Sequence, residues 1–181
     1  APAYQLPAPC PVCSQPVVKS EGEAVTRCVN SACPAILKGS ISHWASKDAM
    51  DISGLGDRWV EQWIDQGMVN SVADLYDLSV PQLLTLDRMG EKLATKLVGA
   101  IAHSKERPWA KVLYGLGIRL VGSTNAQLLA DNFRSAAILA ETGSDDIARV
   151  YGIGPEIAVS VRQWFQVPAN QLLIERLGAA G

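Results

Sequence analysis

Four glycines, Gly56, Gly90, Gly122 and Gly154, recur along the chain at spacings of 34, 32 and 32 residues. An apolar residue precedes each of them: Leu55, Met89, Val121 and Ile153. Four positions before each glycine stand Ile52, Leu86, Ile118 and Val150. Four positions after stand Val60, Ala94, Ala126 and Ala158, and seven after stand Trp63, Leu97, Leu129 and Val161. A period of this length marks an architecture built by repeating one supersecondary unit. The +4 and +7 residues fall on one face of a helix that starts just after the glycine. The −4 residue closes a short preceding helix, and the −1 residue plugs the gap between the two. Glycine costs about 0.5–1 kcal/mol relative to alanine in regular structure, so its recurrence signals a required backbone angle or the close approach of another group. Tetratricopeptide repeats have a similar period, but their Trp–Leu–Gly–Tyr series within the first helix is absent, and the glycine here falls between helices.

A glycine hairpin at a helix N-terminus points backbone N–H groups outward, and with the helix dipole these form an anion site. Phosphate is its natural occupant. Backbone donors carry no base information, so binding through them is independent of nucleic-acid sequence. The candidate contact residues are Gly54, Leu55 and Gly56 in the first hairpin, and Arg88, Gly90 and Lys92 in the second. Arg119, Val121 and Gly122 belong to the third, and Gly152, Ile153 and Gly154 to the fourth. The formal charge of −2 argues against a purely electrostatic binder. Between Arg88 and Arg119, however, seven Lys or Arg face two acids, Glu91 and Glu106. Such a stripe can hold phosphate; a solvated helix face has the same composition. Two hairpins, Arg88-Met89-Gly90 and Leu120-Val121-Gly122, carry a single glycine. Because a non-glycine residue disfavours positive φ, the second is expected to present its amides differently, with the Arg88 guanidinium in their place. The first and fourth are expected to be the better backbone donors, with Lys92 and Arg119 adding charge.

All four cysteines, Cys10, Cys13, Cys28 and Cys33, lie in the first fifth of the chain, as C-x2-C, fourteen residues, then C-x4-C. Two short loops of this kind complete the tetrahedron that Zn²⁺ takes with four thiolates. Two disulfides would imply secretion, yet no basic-then-apolar leader is visible. No apolar run approaches the roughly 18 residues of a membrane span. With all four positions filled by cysteine the zinc is structural, and in so small a segment it supplies on the order of 10 kcal/mol toward folding. His43 is read as a surface or packing residue outside this shell. Val17–Lys19 and Ala24–Cys28 read as strands joined by a Ser20–Glu23 turn; Arg27 and Asn30 are expected to face solvent rather than DNA. Trp59 and Trp63 share a helix face and read as packing rather than base-stacking residues. Ser71, Ser79, Ser135 and Ser144 are expected N-caps, and Gly67 a helix end.

The residues are also similar to a known family. Asn30-Ser31-Ala32-Cys33-Pro34-Ala35, His43-Trp44 and Met50-Asp51-Ile52-Ser53-Gly54-Leu55-Gly56 resemble the zinc finger and first hairpin of bacterial NAD-dependent DNA ligases. So do Asp74-Leu75-Tyr76-Asp77-Leu78, Ala100-Ile101 with Ser104-Lys105, and Leu116-Gly117-Ile118-Arg119 with Val121-Gly122. Gly152-Ile153-Gly154-Pro155 and Leu177-Gly178-Ala179-Ala180-Gly181 complete the likeness, which runs from about Pro9 onward. One departure is the second hairpin, usually Gly–aromatic–Gly in that family. The resemblance implies a mainly α fold: a four-cysteine zinc finger with a short β-hairpin over residues 9–46, then four helix–hairpin–helix units over 47–181, with 1–8 a link from a preceding domain. It implies a C-terminal portion of a larger nick-sealing enzyme of replication and repair, cytoplasmic and nucleoid-associated, whose hairpins clamp nicked double-stranded DNA by its phosphate backbone. A chain opening at Ala1 is read as a cut or processed piece. The family's adenylated-lysine motif, Lys-x-Asp-Gly, does not occur in it. The resemblance therefore implies that NAD and Mg²⁺ belong to the parent enzyme, together with its other domains, and that this segment binds duplex without sealing it. A hairpin domain of an excision nuclease or junction-processing protein, and a protein-interaction scaffold, are the alternative readings.

Overall fold

The computed structural model describes residues 9–19, 22 and 24–181. The link assigned to residues 1–8 lies outside them, as does most of the Ser20–Glu23 turn. Two strands, β1 (Val17–Val18) and β2 (Arg27–Cys28), pair antiparallel with Val17 opposite Cys28 and Val18 opposite Arg27. They are shorter than the residue pattern suggests. The helices are α1 (Pro34–Ala45), α2 (Asp57–Asp65), α3 (Val80–Leu83), α4 (Glu91–Ser104) and α5 (Trp109–Gly115). They continue with α6 (Ser123–Asn132), α7 (Ala136–Glu141), α8 (Ser144–Ala148), α9 (Pro155–Gln166) and α10 (Pro168–Ala180), and a 3₁₀ helix covers Val72–Asp77.

Local chemistry sets these boundaries. The Ser71 N–H donates to Asp74 Oδ2 at 3.0 Å and the Ser79 N–H to Gln82 Oε1 at 2.8 Å, the return bond of a capping box in each case. Ser135 Oγ accepts from the Ile138 N–H and caps α7. Ser144 does not cap: Gly143 occupies that position and Ser144 is the first helical residue. Pro34, Pro155 and Pro168 open their helices, where a missing N–H costs nothing. Gly67, at φ 68, ends α2 in the left-handed conformation that glycine favours.

The repeat folds as four units. The second helix of each, α2, α4, α6 and α9, begins at the residue after the recurring glycine. The +4 and +7 side chains are all essentially inaccessible, so the predicted face is the buried one. Of the −4 residues, Ile52, Leu86 and Ile118 are buried and Val150 is half-buried. They lie two or three residues beyond α3, α5 and α8 rather than inside them, and in the first unit a turn over residues 47–50 replaces the short helix. One apolar core runs from Leu37 through Leu173. α1 joins that core: Leu37, Ile41 and Trp44 are buried, and α1 packs on α2, α5 and the 3₁₀ helix. Gly115 must be glycine at this crossing, because a Cβ there would stand 2.9 Å from Trp44 Cε3. Trp63 is fully buried and Trp59 half-buried against the core, so both pack. Among the described residues no helix is long and apolar enough to cross a membrane.

Candidate metal centre and hairpin surface

The first cysteine loop is closed by its own backbone. The Ser14 N–H donates to Cys10 O at 2.9 Å and the Cys10 N–H to Gln15 O at 2.8 Å, with Ser14 at φ 57. The second runs from Cys28 on β2 to Cys33, the residue that precedes α1. There the Cys33 N–H donates to Asn30 O, and Asn30 Oδ1 accepts from the Ala32 N–H at 3.0 Å. Asn30 is buried; it shapes the loop rather than facing solvent. Arg27 is exposed.

All four Sγ atoms lie within 4.8 Å of one another, with Cys10–Cys33 at 4.0 Å and Cys13–Cys28 at 3.5 Å, and no two are bonded. Four sulfurs about 2.3 Å from one Zn²⁺ stand about 3.8 Å apart, so the donor set fits the ion. Burial, and then the crowding of the other thiols, pushes Cys28 up to about 12 and also raises Cys33. At Cys13 burial acts the same way but is outweighed by hydrogen bonds from the Gln15 backbone, Asn30 and the neighbouring thiols, which bring it down to about 7. A divalent cation offsets half the charge of four thiolates, and the four thiolates leave it no open position. The centre is structural. His43 lies outside it: its Nε2 is 2.8 Å from Tyr114 O and its ring sits edge-on to Tyr114.

The four hairpins share one backbone. In each, the −1 N–H donates to the −4 carbonyl: Leu55 to Ile52, Met89 to Leu86, Val121 to Ile118 and Ile153 to Val150, at 2.9–3.3 Å. In each, the +4 N–H closes the first helical turn onto the recurring glycine's carbonyl, at 2.9–3.2 Å. The positive φ falls at −2, on Gly54 (92°), Arg88 (63°), Leu120 (67°) and Gly152 (90°). The expectation that a lone glycine alters the second hairpin is thus corrected: Arg88 and Leu120 adopt the left-handed angle despite their side chains. The recurring glycines themselves have φ between −76° and −88°, open to any residue. A Cβ added at any of the four would meet nothing within 4 Å. Neither backbone angle nor internal crowding requires glycine there.

Hairpins also touch the neighbouring unit. A Cβ on Gly54 would lie 3.5 Å from Leu97 Cδ2 and 3.8 Å from Lys96 Cε on α4, and one on Gly152 would lie 2.9 Å from Leu128 Cδ1 on α6. Ser160 Oγ on α9 donates to Arg119 O at 2.6 Å. Units one and two thus adjoin, as do units three and four. Of the candidate contact residues, Gly54, Gly56, Arg88, Gly90, Lys92, Gly122 and Gly152 are exposed, and Gly154, Leu55 and Arg119 are half-exposed. Val121 and Ile153 are 5% and 4% exposed and turn inward as plugs; they set the hairpin rather than offer a surface. Spacing alone gave no sign of Ser160, Asn170 or Arg176, whose partners are remote in sequence.

A four-cysteine zinc module joined to two adjoining pairs of helix–hairpin–helix units is the class of protein that this fold and site define. Residues 9–35 match the NAD-dependent DNA ligase C4 zinc finger domain. Residues 46–102 match a SAM-like helix-hairpin-helix tandem and residues 111–174 a helix-hairpin-helix motif, the two halves corresponding to the two pairs of units. Over 180 residues, 98% of the chain, it is 50% identical to a DNA ligase of Synechococcus sp. (strain WH7803). The chain is thus similar to NAD-dependent DNA ligases over its zinc-finger and helix–hairpin–helix region, and it spans about a quarter (26%) of that relative's length.

Proposed function

We propose that this chain is the duplex-gripping part of an NAD-dependent DNA ligase, holding nicked double-stranded DNA by its sugar–phosphate backbone without reading sequence. One observation carries the reading. Four exposed or half-exposed glycines recur at helix N-termini where neither backbone angle nor internal crowding requires glycine. Each is an N-cap, a position where glycine is favoured in its own right, and the open space above it also lets a phosphate seat closely on the first-turn N–H groups. Lys92 and Arg88 are exposed beside the second hairpin and add charge. In the fourth, Pro155 has no N–H to give, leaving Gly154 and Glu156 as donors.

The zinc finger holds the first of these units through α1 and performs no chemistry of its own. Nick sealing, with NAD and Mg²⁺, belongs to the longer enzyme, and so does residence with the bacterial chromosome. The match of the cysteine module to the ligase zinc finger favours this reading over a hairpin domain of another repair enzyme. The test is a titration of plain and nicked duplex at several salt concentrations. Binding should be independent of sequence, with a log–log salt slope near −0.9 per phosphate neutralised by Lys or Arg. No sealing should occur when NAD and Mg²⁺ are added to this chain. A flat salt dependence or strong sequence preference would overturn the reading.

A further inference from the structure

Asn170, near the start of α10, is fully buried, and its amide uses every hydrogen-bonding position it has. Oδ1 accepts from the Ser31 N–H at 3.0 Å and from Ser31 Oγ at 2.8 Å. Nδ2 donates to Val29 O at 2.8 Å and to Trp164 O at 2.9 Å. Three of these four bonds reach into the loop between Cys28 and Cys33, 139 to 141 residues away in sequence. The fourth holds the last turn of α9, the twelve-residue helix that the fourth hairpin opens. A single side chain therefore bridges the loop between Cys28 and Cys33 and the last turn of α9, the helix whose opposite end is the fourth hairpin.

The loop over residues 29–32 has few means of holding its shape. It is tied at its ends by Cys28 and Cys33, and internally by the bonds from the Ala32 N–H to Asn30 Oδ1 and from the Cys33 N–H to Asn30 O. The β-ladder beside it is two residues long. With four thiolates on one ion, Val29 O, the Ser31 N–H and Ser31 Oγ stand where an amide can satisfy all three at once. If the loop moves, a fully buried amide loses partners that water cannot replace, and leaving buried polar groups unpaired is costly. The corner between α9 and α10 must then shift, and α9 carries the fourth hairpin with it.

We infer that Asn170 is a positioning residue that couples metal occupancy at the four cysteines to the setting of the fourth hairpin, so that zinc and duplex DNA bind cooperatively. This rests on the hairpins' binding of duplex. Coupling between two sites is reciprocal: duplex must tighten zinc binding by the factor by which zinc tightens duplex binding.

The experiment measures zinc affinity of the 181-residue chain by chelator competition, with and without saturating plain duplex. In the unaltered chain, duplex should raise zinc affinity about 5- to 20-fold, within the range usual for coupled sites. In Asn170→Asp, which keeps the shape but loses both donors, zinc should still bind and the ratio should fall to near one. Ser31→Ala, which removes one of the four bonds and is the milder variant should Asn170→Asp fold poorly, should lower it partway. General destabilisation lowers the melting temperature but leaves the ratio intact, so the ratio separates coupling from a merely structural role. A ratio of one in the unaltered chain, or a full ratio retained in Asn170→Asp or Ser31→Ala, would overturn the inference while duplex binding itself stood. Failure of the zinc-loaded chain to bind duplex at all would sink the DNA reading, and this inference with it.

Discussion

Gly90 and Gly152 both sit in hairpins, yet they are glycine for different reasons. Gly152 has φ 90, and a Cβ there would stand 2.9 Å from Leu128 Cδ1, so Gly152→Ala strains the fold. Its expected cost is about 2 kcal/mol, combining a left-handed angle with overpacking, and a urea melt reads it. Gly90 has an ordinary φ of −87 and open space where its Cβ would go. Gly90→Ala should leave the urea midpoint almost unmoved and weaken duplex binding about tenfold, since the added methyl would occupy the place proposed for the phosphate; unchanged duplex affinity would overturn that placement. Leu120 makes the opposite point. It is 42% exposed at φ 67, where a branched side chain is strained. Leu120→Gly should raise stability by about 1 kcal/mol, the relief of the left-handed penalty less the extra entropy of glycine in the unfolded chain. A lowered denaturation midpoint would show that the Leu120 side chain contributes more by packing than its backbone angle costs.

Among the elements, the zinc module and the hairpin units differ in what stabilises them. Each hairpin unit contributes +4 and +7 side chains to a shared core, so neighbouring units support one another. The zinc module has a two-residue ladder, and its four cysteines do the work that a core does elsewhere. Metal binding by such sites contributes on the order of 10 kcal/mol of folding free energy. Chelation should therefore abolish hydrogen-exchange protection around residues 10–33 while amides in α4, deep in the hairpin core, stay protected. Equal loss in both regions would mean that the two elements fold as one unit. α1 is the boundary case: it starts at the residue after a zinc ligand and buries Leu37, Ile41 and Trp44 among the hairpins, so its first turn should lose protection before its last.

At the scale of the molecule, α10 closes the structure by returning to its beginning. Arg176 on α10 reaches Asp74 Oδ1 at 2.7 Å and Asp77 Oδ2 at 2.9 Å on the 3₁₀ helix, and Ser71 Oγ at 3.2 Å on the residue that caps it. These acids raise the affinity of Arg176 for its proton, and its side chain is 38% exposed, so solvent screens much of the attraction. Arg176→Met, which keeps much of the aliphatic stem, should cost about 1 kcal/mol in thermal or urea melts, with a smaller effect in high salt. A loss independent of salt would assign the contribution to packing instead. Deeper inside, Trp44 Nε1 donates to Tyr76 OH at 3.1 Å, and Tyr76 OH lies 2.9 Å from Ser104 Oγ, so α1, the 3₁₀ helix and α4 share one polar contact within an apolar core.

Spacing along the chain was enough to reveal the four repeats, their buried face, the onset of each second helix and the four metal ligands. These are properties of local geometry: a helix repeats every 3.6 residues, and a short cysteine loop presents two sulfurs to one point whatever surrounds it. Which residue bears the positive φ was not legible, because glycine permits that angle without requiring it, and Arg88 and Leu120 adopt it at the −2 position of the shared hairpin backbone. The placement of α1 within the hairpin core and the bonds from Asn170 and Arg176 to partners about 100 or more residues away were settled only by tertiary packing. A side chain's chemistry names the partners it can take, and only the folded chain decides which of them stands within hydrogen-bonding reach.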